Sequence, residues 1–207
     1  MDFLKKFSLA ALIYLSFSSC LLAQSYEAIK ESFVKSYQYE ALNNYSKAID
    51  AVKSVYSDES YDANIRLGWL HYLAGKLPES AFYYNKAVSL MPCAIEAKFA
   101  YVLPLAALGN WEQVIEQYKE ILKIDPQNTT ANYRLGLIYF NRSDFSSAKD
   151  FFELIINLYP MDLDTLVMLG WTNLKMKRND EAKTIFNKVL LLMPMNASAV
   201  EGLSLIK

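Results

Sequence analysis

Few side chains of this sequence could do chemistry. His71 is its one histidine, and Cys20 and Cys93 are its two cysteines. Nucleophilic catalysis needs a nucleophile, a base within reach and a group that orients the base, and no such set can be assembled around His71. One histidine and two cysteines are too few soft ligands for a zinc site and too few cysteines for a disulfide scaffold. Cys93 follows Pro92, with neither a CxxC partner nor a basic neighbour in sequence to activate it. Asp162 and Asp164 fall near the start of an expected helix, where carboxylates favour the N-terminal dipole, so they read as capping residues. No glycine-rich phosphate-binding run occurs. These residues point to no catalytic group, no metal and no cofactor, and the chain reads as a non-enzyme.

Composition narrows the class further. The chain has 207 residues, 53% of them hydrophobic and 21% charged, with a formal net charge of -1. That is enough apolar material for one domain or one elongated repeat array. Near-neutral charge removes the long-range attraction to phosphates, which argues against a nucleic-acid partner.

The N-terminus has the parts of a secretory signal: a basic head at Lys5 and Lys6, an apolar run from Phe7 to Phe17, then small residues before the polar Gln24. Residues 1–23 are therefore expected to be a signal peptide. Two processing routes stay open. Signal peptidase would cut after Ala23, whereas Phe17-Ser18-Ser19-Cys20 resembles a bacterial lipobox that would leave a lipid anchor on Cys20.

What must position any functional side chain is a period. Pro92, Pro126, Pro160 and Pro194 are each 34 residues apart. The dipeptides Leu67-Gly68, Leu135-Gly136 and Leu169-Gly170 recur, and Tyr84, Tyr118, Phe152 and Phe186 keep the same spacing. A 34-residue period is that of paired-helix repeats. Apolar residues recur at three and four within each half, as on amphipathic helices. Gly75 and Gly109 fall where one helix must turn into the next, a position that tolerates positive φ. The prolines cannot continue a helix, so they punctuate the repeats.

On these residues the chain resembles the tetratricopeptide repeat family. Residues 61–94 supply Leu67, Gly68, His71, Ser80, Tyr84, Ala87 and Pro92 to the family pattern, and His71 takes its aromatic slot, which implies a packed imidazole. Residues 129–162 supply Leu135, Gly136, Tyr139, Ala148, Phe152, Ile155 and Pro160, and residues 163–196 follow suit. Residues 95–128 diverge, with Tyr101-Val102 in place of Leu-Gly and with Pro104 expected to kink the first helix. Residues 24–60 read as a degenerate first repeat that caps the array, with Ile29, Phe33, Tyr37 and Ala41 at i, i+4 spacing; residues 197–207 read as a C-terminal capping helix. The resemblance implies an all-α fold, a right-handed superhelical solenoid of antiparallel helix pairs. With the signal, the chain resembles an exported bacterial tetratricopeptide repeat protein of the periplasm or cell envelope of a Gram-negative bacterium.

The resemblance also places a site. In this family the first helix of each pair lines the inside of the superhelix, where partner segments bind. The inward positions carry Trp69, Tyr72, Phe99, Tyr133, Phe140 and Trp171, which are the expected anchors for a protein or peptide segment. Asp62, Glu96 and Asp164 are expected at the rim. The carrier or sensor of a small apolar ligand is the alternative reading. A second copy of the chain, or its own Tyr26–Ala41 segment, is a competing occupant of the groove.

Overall fold

The computed structural model describes residues 26–206, and within them every regular element is a helix. The signal reading of residues 1–23 and the lipidation of Cys20 lie outside the described residues. The helices are α1 (26–41), α2 (Tyr45–Lys53), α3 (Tyr61–Leu73), α4 (Leu77–Leu90), α5 (Ile95–Ala107), α6 (Trp111–Ile124), α7 (Thr129–Asn141), α8 (Phe145–Leu158), α9 (Leu163–Lys175), α10 (Asn179–Leu192) and α11 (Ala197–Ser204). Among the described residues, no helix is long and apolar enough to cross a membrane.

Local chemistry sets the ends of these helices. Ser60, Asn128, Asp162 and Asn196 each accept a hydrogen bond from the backbone N–H three residues on, at 2.9–3.2 Å, and so cap α3, α7, α9 and α11. The turns inside the helix pairs each need one left-handed residue. Gly75 and Gly109 provide it with φ of 71° and 76°, while Asn43, Ser143 and Lys177 adopt it without being glycine. α2 stops at Lys53, short of Val55, where Ser54 Oγ donates to the Ala51 carbonyl at 2.7 Å.

The chain forms two compact units, divided after Gly109. Unit 1 holds α1–α5 around Ala48, Ile49, Val52, Ala63, Leu67 and Leu70. Unit 2 holds α6–α11, with one buried cluster around Ala148, Phe152 and Leu169 and another around Leu166, Phe186 and Val189. The division falls inside the repeat in which Tyr101-Val102 replaces Leu-Gly. α5 runs through the buried Pro104 as one helical element.

Within a pair, a ring on the second helix lies on a glycine of the first. A Cβ at Gly68 would come within 2.7 Å of the Tyr84 ring, and one at Gly136 within 2.5 Å of Phe152. Phe186 sits between Gly170 and Gly202, where a Cβ would approach it to 2.6 and 2.3 Å. No real Cβ tolerates such contacts, so the Leu-Gly dipeptide is a socket for the ring.

The i, i+4 stripe of α1 is not its buried face: Ile29, Tyr37 and Ala41 are exposed and Phe33 is half-buried. The buried residues of α1 are Ser32 and Ser36. Ser32 Oγ donates to the Ala51 carbonyl, and Ser36 Oγ accepts from Arg66 Nε at 3.1 Å. Small hydroxyls let α1 come close to its neighbours, as a stripe of large residues would not. In α11, Ala199 and Gly202 are buried and Val200 is exposed.

Candidate functional site

Turning its serine face inward leaves the apolar stripe of α1 facing α3 across a depression of about 960 Å³ in unit 1. Ile29, Phe33 and Tyr37 of α1 form one wall, and Ile65 and Trp69 of α3 form the other. The segment 26–41 is thus a wall of the depression. Asp62 and Glu96 also line it.

A charge pair, buried on the Arg66 side and partly open on the Glu40 side, links the walls. The Arg66 guanidinium is buried, paired with the Glu40 carboxylate and laid over the Tyr37 ring at 3.8 Å. Trp69 Nε1 donates to Glu40 Oε1 at 2.7 Å, so both oxygens of that carboxylate are engaged by α3. This arrangement orients the indole, which stacks on Tyr72 at 6.0 Å and 25° between planes. The Tyr61 hydroxyl donates to Glu96 Oε1 at 2.9 Å. Burial, reinforced by that carboxylate, pushes the Tyr61 phenol up to about 12, which keeps it a hydrogen-bond donor at any physiological pH.

The six expected anchors divide between the units. Trp69 lines the depression, Tyr72 backs it through the stack, and Phe99 is half-buried on α5. In unit 2 the rings pack on their own second helices. Tyr133 lies 5.8 Å from Phe152, Phe140 is edge-on to Phe145 at 5.4 Å, and Trp171 is edge-on to Phe186 at 5.6 Å. Trp171 Nε1 also donates to Ser198 Oγ at 2.7 Å. All three are half-buried, and each contributes one face to the interhelical core.

The chemical candidates are also placed. His71 is 4% exposed and stacks on Tyr83 at 5.2 Å, and neither ring nitrogen has a hydrogen-bond partner. Burial above all, and then the positive charge of Lys53, lower its pKa, so the imidazole is neutral. Cys93 is exposed and free. Asp162 caps α9 by accepting from Thr165 N at 3.0 Å. Among the described residues no three histidine, cysteine or acidic side chains cluster as metal ligands would.

Sequence reasoning missed Arg66, Glu40 and the α1 wall. The signal for Arg66 was its place in the period: it lies three residues after Ala63 and four before Leu70, on the face that α3 buries. Nothing in the sequence marked the stripe of α1 as facing outward.

Four models of the tetratricopeptide repeat match this sequence, at residues 36–94, 105–142, 130–160 and 163–194. The chain belongs to the tetratricopeptide repeat family. Such repeats are typically non-enzymatic modules that bind protein partners. Over 99 residues it is 30% identical to the RNA polymerase-associated protein CTR9 of Caenorhabditis elegans, matching 47% of this chain and 9% of that protein. It is 27% identical to the BBSome complex member BBS4 of Xenopus tropicalis, over 60% of this chain and 24% of that one. The chain thus spans about a quarter or less of the curated relatives it matches. Among solved structures it resembles a tetratricopeptide repeat protein from Parabacteroides merdae, with TM-score 0.73, 22% identity and 86% and 72% of the two chains covered. It also resembles the MamA protein, with TM-score 0.70, 19% identity and 83% and 94% covered. These likenesses show the fold, an all-α solenoid of antiparallel helix pairs.

Proposed function

We propose that the depression between α1 and α3 is where this scaffold takes a partner, an apolar protein segment laid against Ile29, Phe33, Ile65 and Trp69. The observation that supports this is the outward-facing stripe of α1. Large apolar side chains left open beside an oriented tryptophan cost solvation in the free protein, and a partner's apolar residues would relieve that cost. The acidic Asp62 and Glu96 favour basic character at the segment's ends, an effect that salt weakens. The setting we propose is the bacterial cell envelope, reached through the signal-like segment 1–23 and, on the second route, held there by a lipid on Cys20.

A photoreactive residue at position 65 tests the site. It should crosslink a protein in cells, and Ile29→Asp should abolish that product without lowering thermal stability. Equal crosslinking from the exposed Asp150 would place the interface elsewhere. The volume of the depression is also that of a small-molecule pocket, so recovery of a bound lipid in an organic extract, with no crosslinked protein, would favour the carrier reading.

A further inference from the structure

Unit 2 carries an apolar surface that the depression does not account for. The loops α8–α9 and α10–α11 both join the second helix of one pair to the first helix of the next, so they lie at one edge of the stack. Leu163 and Leu192, at the inner ends of these loops, pack on the same buried cluster. In the loops Tyr159 is 56% exposed, Met161 67% and Met195 91%, with Met193 also open; beside them Leu191, in the last turn of α10, is 83% exposed, and Leu158, at the end of α8, is open too. The one charge within either loop belongs to Asp162, which is turned back to cap α9.

The turn itself does not require apolar tips. The α6–α7 loop of the same unit is built on the same hydrogen bonds, with Asp125 N donating to the Ile121 carbonyl at 2.8 Å as Tyr159 N does to Ile155 at 2.7 Å and Met193 N to Val189 at 2.8 Å. Yet there Asp125 stands where Tyr159 and Met193 stand, and Gln127 where Met161 and Met195 stand. The apolar tips therefore answer to something outside the fold.

We propose that this edge of unit 2 seats in the interfacial layer of a phospholipid bilayer. Side chains as open as Met195 and Leu191 stand off the surface instead of lining a depression, so they need no occupant of matching shape. A protein interface would pair such contacts with a polar rim that sets register, and these loops hold almost no charge to do so. A bilayer interface needs apolar tips with an aromatic at headgroup depth, which Tyr159 supplies. The N–H groups of Tyr159, Asp162, Met193 and Asn196 are already bonded within the protein, which lowers the cost of taking that part of the loops out of water. Without a cationic side chain in either loop, binding draws on apolar contact and not on anionic headgroups.

The test uses the full chain carrying Cys20→Ser and Cys93→Ser, with Met195→Cys bearing an environment-sensitive fluorophore. A local readout is required because residues 7–17 are themselves apolar. With phosphatidylcholine vesicles the label at 195 should shift to the blue and brighten severalfold, and so should one at 161. A label at the exposed Lys183 should not respond, and neither phosphatidylglycerol nor salt should change the result. Adding Tyr159→Ser and Leu191→Ser to the Met195→Cys protein should remove most of the response. The proposal is overturned if the label stays silent while the chain floats with vesicles, or if its response requires anionic lipid. It is equally overturned if the label responds to protein concentration without vesicles, which would make the edge a contact between copies.

Discussion

His71 carries a consequence that its neighbours make specific. Burial above all, and then Lys53, disfavour its cation; Glu79 favours it, Lys76 opposes it further, and the stacked Tyr83 offers no hydrogen bond to either nitrogen. Its folded pKa is therefore depressed below the ordinary value of about 6.5. Above that value both folded and unfolded chains hold a neutral imidazole, and His71 costs nothing. As pH falls below it the unfolded chain takes a proton that the folded chain resists, so stability drops. His71→Phe keeps the ring in its slot and removes the proton. The wild type should lose more thermal stability than the variant between about pH 7.5 and about pH 5, and parallel curves would show that His71 is not a source of acid sensitivity.

A helix pair is held by a ring in a socket, and both halves of that contact can be tested. Phe152→Ala, Tyr84→Ala and Phe186→Ala should each cost about 3–5 kcal/mol, because each ring is buried and would leave a cavity. Gly136→Ala adds one methyl, but its Cβ would sit 2.5 Å from Phe152. The ring or the helix must then shift, at a cost of about 1–3 kcal/mol. Urea denaturation checks both sides. If all three alanine variants unfolded like the wild type, the 34-residue register would have been read in the wrong phase.

At the scale of the molecule, each unit has its own buried clusters, and a stack of repeats draws its stability from neighbouring pairs. Phe186→Ala should raise amide hydrogen exchange across α9, α10 and α11 while α3 and α4 keep wild-type protection. Uniform loss of protection would mean that the chain opens as one cooperative body. Export is tested on the whole chain as well. Protein from the envelope fraction should have a mass that begins at Gln24 or at a lipidated Cys20, and an unprocessed chain in the cytoplasm would reject both routes.

The repeat class, the pairing of helices and the rings that fill them were legible from the sequence, because each is a consequence of spacing. A 34-residue period fixes which residues recur at one height, and a 3.6-residue period fixes which share a face. Spacing does not say which face a neighbour will cover. α1 shows this: its large residues share one stripe, but Ser32 and Ser36 allow the closer approach and took the buried side. That choice left Ile29, Phe33 and Tyr37 to wall a depression, and paired the buried Arg66 with Glu40 to link its walls. It also took tertiary structure to divide the chain after Gly109 and to leave Tyr159, Met161, Met193 and Met195 uncovered at their shared edge. Periodicity is local and survives in one dimension, whereas the choice of buried face is settled by contacts between segments far apart in the chain.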